Sequence, residues 1–107
     1  MKAFVWLSYD LGIRGDYEGL YQFLDSVEAK ECANSIAAFQ FDYDQDIPTE
    51  LASVIQNAVK LDKRARFYVI YQNMDGKLVG KFIIGRRKSS PWTGYSLTQV
   101  PQEDGGE

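Results

Sequence analysis

Asp10 and a basic stretch beyond residue 60 are the features of this chain whose residue types could do chemistry. Asp10 follows an apolar, strand-forming run, Ala3–Tyr9, and precedes a loop containing Gly12 and Gly15. A carboxylate at the end of a rigid strand can be aimed into a cleft and hold a hard cation such as magnesium or manganese. Such a metal lowers the pKa of bound water and steadies a phosphodiester under attack. The same side chain could instead shape its turn by accepting hydrogen bonds from the amides of Leu11 and Gly12. The second feature is Gly85-Arg86-Arg87-Lys88-Ser89-Ser90-Pro91-Trp92. Arg86, Arg87 and Lys88 could neutralise phosphates while Trp92 stacks on a base or sugar. Lys60, Lys63, Arg64 and Arg66, at the end of the second helix and just after it, could extend that patch. The same cations could also serve as solvated surface, as edge-strand charges that block aggregation, as partners for the chain's own acids, or as a dock for an acidic protein.

The charge is distributed unevenly. Residues 1–59 carry three basic and ten acidic side chains, whereas residues 60–88 carry nine basic and two acidic ones. A net charge of −3 thus hides a strongly basic segment, a pattern associated with polyanions or acidic partner surfaces. The chain has no histidine and a single cysteine, Cys32. That excludes Ser-His-Asp chemistry, histidine-based zinc sites, cysteine-rich metal sites and an internal disulfide, and it fits a reducing, cytoplasmic setting. No stretch approaches the ~18 apolar residues of a membrane span. Asp42, Asp44 and Asp46 imitate the start of a calcium loop, but Ile47 and Ser53 stand where that loop needs glycine and glutamate. They read better as a strand end, a solvated loop and a helix cap from Asp46 or Thr49.

The elements that must position these residues follow from periodicity. At 107 residues the chain has the size of one domain, expected over 1–100, with 101–107 as a disordered acidic tail. The pattern predicts strands at 3–9, 29–33, 36–43, 66–72 and 78–84, and helices at 17–27 and from Pro48 to about Leu61. Asp75-Gly76 reads as the centre of a type I′ hairpin turn. That register sets Lys81 opposite Ile70, Phe82 opposite Val69 and Ile83 opposite Tyr68. One hairpin face then holds Phe67, Val69, Tyr71, Phe82 and Ile84 as core. The other holds Tyr68, Ile70, Val79, Ile83 and Lys81, and is apolar enough to suggest cover by a partner subunit. Phe4, Trp6, Tyr17, Phe23, Phe39 and Phe41 complete the expected aromatic core. The order β-α-β-β-α-β plus a final strand suggests a ferredoxin-like α+β sandwich with an extra C-terminal hairpin strand.

A first strand ending in Tyr9-Asp10, followed by a helix, a short strand and a strand carrying Ser35, Ile36 and Phe39, resembles the small ferredoxin-fold protein of CRISPR adaptation modules and its relative, virulence-associated protein D. The resemblance covers about residues 3–84 in element order. It implies that Asp10 is the metal ligand, that two subunits place their copies across a homodimer interface, and that Leu78–Ile84 completes the partner's sheet. The resulting expectation is a small cytoplasmic protein that binds DNA or RNA, with metal-dependent nuclease activity at Asp10. The alternative is a non-enzymatic dimeric interaction module. A small-molecule sensor using the cleft between the helices and loop 10–16 is a third class.

Overall fold

The structure, a computed structural model, describes residues 1–97. Its elements run β1 (Lys2–Asp10), α1 (Tyr17–Ser26), β2 (Lys30–Ala33), β3 (Ile36–Asp42), α2 (Ile47–Ala58), β4 (Arg66–Gln72) and β5 (Leu78–Ile84), followed by a single 3₁₀ turn at Tyr95–Leu97. The tail expected at 101–107 lies outside the described residues.

Alternation along the strands separates an inner from an outer face. Val5, Leu7 and Tyr9 of β1, Ala37, Phe39 and Phe41 of β3, and Phe67 and Val69 of β4 point inward. They meet Leu20 and Phe23 of α1 and Ile47, Leu51 and Ile55 of α2 in one buried cluster. Both helices therefore cover the same side of the sheet. Each starts on an aspartate. Asp16 accepts from the Gly19 N–H at 3.0 Å, and Asp46 accepts from the Thr49 N–H at 3.0 Å. The Glu50 carboxylate returns the cap by accepting from the amides of Asp44, Gln45 and Asp46, each at 2.8 Å. The acids that imitate a calcium loop are thus a strand end and a helix cap. The second helix ends earlier than its expected limit near Leu61. Val59 already has extended dihedrals (φ −126°, ψ 134°), which turn its side chain into the core.

The ferredoxin-like sandwich expected from the element order is corrected by the sheet. That plan has four strands. Here five antiparallel strands lie in the order β2-β3-β1-β4-β5. The fifth strand is a full edge member: it pairs with β4 of its own chain from Gln72↔Leu78 to Phe67↔Ile84. The fold is α+β, a five-stranded antiparallel sheet with two helices.

The hairpin turn also differs from the expected one, with a large consequence. Gly76 donates to the Asn73 carbonyl at 2.9 Å, and Asn73 donates to the Lys77 carbonyl at 2.8 Å. The Asn73 side chain accepts from the amides of Asp75 and Lys77 at 3.0 and 2.9 Å. Gly76 alone in the turn has positive φ, +80°. This is a four-residue turn closed by a left-handed glycine and a bulge, not a two-residue type I′ turn. The pairing shifts by one residue: Lys81 faces Val69 and Phe82 faces Tyr68. A one-residue shift exchanges the two sides of a strand. Phe82, expected in the core, therefore lies on the outer face at 42% exposure, and Lys81 turns toward the helix side. Phe4 and Trp6 also leave the expected core. They alternate with Val5 and Leu7 and remain 46% and 38% exposed on the outer face.

Candidate nucleic-acid interface

Asp10 is the last residue of β1 and lies opposite Arg66, the first residue of β4. One carboxylate oxygen, Oδ2, pairs with the Arg66 guanidinium. The other, Oδ1, accepts from the Gly12 N–H at 3.0 Å. The Gly12 amide first, then the Arg66 hydrogen bond, hold the Asp10 carboxyl below its usual value of 3.8, with help from the charge of Arg87. The turn-shaping role of Asp10 is realised through the Gly12 amide, and Arg66 adds an ion pair to it.

Around this pair lies a shallow depression of about 330 Å³ lined by Asp10, Gly12, Lys63, Arg64, Arg66, Arg86 and Arg87. Its cations come from two separate segments. Asp62 closes a tight turn after α2 by accepting from the Arg64 amide at 2.8 Å, which brings Lys63 and Arg64 to the start of β4. Arg86 and Arg87 arrive from the other side, because β5 ends beside that same start. Five cations therefore face one carboxylate at one end of the sheet.

The other expected members stand elsewhere. Lys60 lines a different depression with Asp16, Glu18 and Gln22, and its amide donates to Asp16 at 2.9 Å. Lys88 and Trp92 are exposed, Trp92 at 72%, and neither lines the depression. Sequence reasoning also missed Phe4, Trp6 and Phe82 as surface aromatics. For Phe4 and Trp6 the signal was present in the strict alternation with Val5, Leu7 and Tyr9.

The donor set does not fit magnesium or manganese. Both Asp10 oxygens are engaged, and the surrounding charge is positive. Among the described residues, no three histidine, cysteine, aspartate or glutamate side chains gather as a metal site. An oxyanion fits the arrangement instead, because guanidinium groups recognise phosphate with two parallel hydrogen bonds. Asp10 then has a definite sign of effect. It offsets one cation and competes with any incoming anion for Arg66. Asp10→Asn should raise affinity for an anionic oligomer about three- to tenfold, measured by anisotropy at low salt. Wild-type affinity should stay flat as pH falls from 8 to about 5, since a lowered carboxyl pKa keeps Asp10 charged throughout that range.

No family model, curated protein or solved structure matches the chain. Among the described residues, no helix is long and apolar enough to cross a membrane.

Proposed function

We propose that this protein binds nucleic acid by its phosphates, at the depression formed by Lys63, Arg64, Arg66, Arg86 and Arg87. The observation that carries the reading is the convergence of five cations from two distant segments around a single carboxylate. Surface charges that only solubilise a protein do not need to converge, and like charges brought together repel unless an anion answers them. Cleavage at Asp10 forms no part of this reading, because its carboxylate is already committed to Arg66 and Gly12.

The test is a salt titration of binding to a labelled oligonucleotide. Four uncompensated cations, each worth about 0.7 in slope on a single strand, give a log–log slope near −3. Affinity should fall roughly fiftyfold between about 50 and 200 mM salt. An affinity indifferent to salt, or no binding to DNA or RNA of any form, removes the proposal.

A further inference from the structure

We infer that the nucleic acid held at this depression is single-stranded and continues across the open face of the sheet, its bases stacked on Phe4, Trp6, Tyr68 and Phe82. The inference rests on the phosphate-binding reading above and names the form of nucleic acid and the surface that distinguishes it.

The depression and the open face are one continuous surface. Asp10 and Arg66 belong to the outward alternation of β1 and β4, the same set that carries Ser8, Trp6 and Phe4 on one strand and Tyr68 and Ile70 on the other. At about 3.3 Å per residue, Tyr68 stands about 7 Å from Arg66 along β4, and Trp6 about 13 Å from Asp10 along β1. A strand whose phosphates sit among the arginines therefore has aromatic rings within reach of its next bases.

The rings form two edge-to-face pairs on this surface. Phe4 and Trp6 meet edge to face with centroids 5.0 Å apart, and Tyr68 and Phe82 do the same at 4.9 Å. Gly80 leaves the space that the Tyr68 ring occupies, since a Cβ there would run into the ring atoms and hydroxyl. Phe4, Trp6 and Phe82 retain 38–46% of their surface to solvent, which is costly for large apolar groups with no occupant. Between the cations and the far edge, the outward positions of β1, β3, β4 and β5 that lie among the rings are Ser8, Ile36, Ala38, Gln40, Ile70 and Gly80, and none bears negative charge. Apart from Asp10, among the described outward positions of the sheet only Asp42 at the far end is acidic, and it pairs with the Met1 amino group at 3.3 Å. A polyanion can therefore lie along these described strands without meeting an unpaired carboxylate of theirs. Stacking on aromatic side chains tolerates any base, but it requires that the base be unpaired, so a duplex cannot use these rings.

The test compares four labelled probes of equal length at one salt concentration: unpaired RNA, unpaired DNA, an abasic sugar–phosphate strand, and the duplex. The full-length wild type should bind an unpaired strand of either sugar at least tenfold more tightly than the abasic strand, and more tightly than the duplex. Trp6→Leu and Phe82→Leu should each bring the unpaired-to-abasic ratio down several-fold, toward one. In Trp92→Phe, where Trp6 is the sole tryptophan, an unpaired oligonucleotide should quench the indole fluorescence and the abasic strand should not. Equal affinity for unpaired and abasic strands overturns the stacking inference and leaves phosphate binding in place. No binding to any probe overturns both. A stable dimer in sedimentation that Trp6→Leu dissociates, with Trp6 unquenched by oligonucleotide, assigns the face to a second copy of the chain and also overturns the inference.

Discussion

Changing Arg86 and Arg87 together to alanine is expected to weaken nucleic-acid binding roughly a hundredfold at low salt. Each guanidinium lost removes charge-assisted hydrogen bonds to phosphate, worth about 1.5 kcal/mol or more apiece, and two such losses make about two decades in affinity. The salt slope should become shallower by about 1.4, because two fewer counterions are released from a single strand. These arginines follow β5 and enter no core contact, so the melting temperature should hardly move. Anisotropy across a salt series, with thermal melting beside it, measures both. An unchanged slope would mean that the anion meets other cations. Lys60→Ala is the natural comparison, since Lys60 lines a different depression and should leave the slope as it is.

The second large effect is on stability. Phe67 is fully buried in β4, between β1 and β5, with Tyr9 and Ile84 as its register neighbours. Phe67→Ala removes an aromatic ring from a closely packed interior and leaves a cavity that the flanking strands cannot close. The expected cost is about 3–5 kcal/mol. Against a total stability of about 5–15 kcal/mol for a domain, that is enough to leave the variant partly unfolded at ambient temperature. Urea unfolding followed by circular dichroism would show the midpoint falling sharply. A loss below about 1 kcal/mol would mean that β4 is not the packed strand described here. The neighbouring Arg66 makes this variant a control as well, since reduced binding would then follow from unfolding and not from lost charge.

Much of the framework was legible from residue order. Helical spacing marks α1 and α2 to within a few residues, and β-rich runs mark all five strands. The convergence at the site was only half legible. Lys63, Arg64 and Arg66 are adjacent in sequence, but the arrival of Arg86 and Arg87 beside them depends on where β5 ends relative to β4. The hairpin register decides that. Asn73-Met74-Asp75-Gly76-Lys77 suits both a two-residue turn and the bulged one, because Asp-Gly satisfies the former and Asn with a left-handed glycine the latter. Local composition cannot separate them; packing can. In the observed register Tyr68 and Phe82 meet edge to face on the outer side. The ion pair of Asp10 with Arg66 was out of reach for the same reason, since it joins residues 56 positions apart.

The bulged turn makes turn type a selector of what the edge strand displays. Strands do not blend their two sides: with the same five residues 73–77, a two-residue turn would send Phe82 inward and Lys81 outward in a single step. What β5 offers to a ligand on the open face, a ring or an ammonium group, is therefore inherited from how the chain turns around.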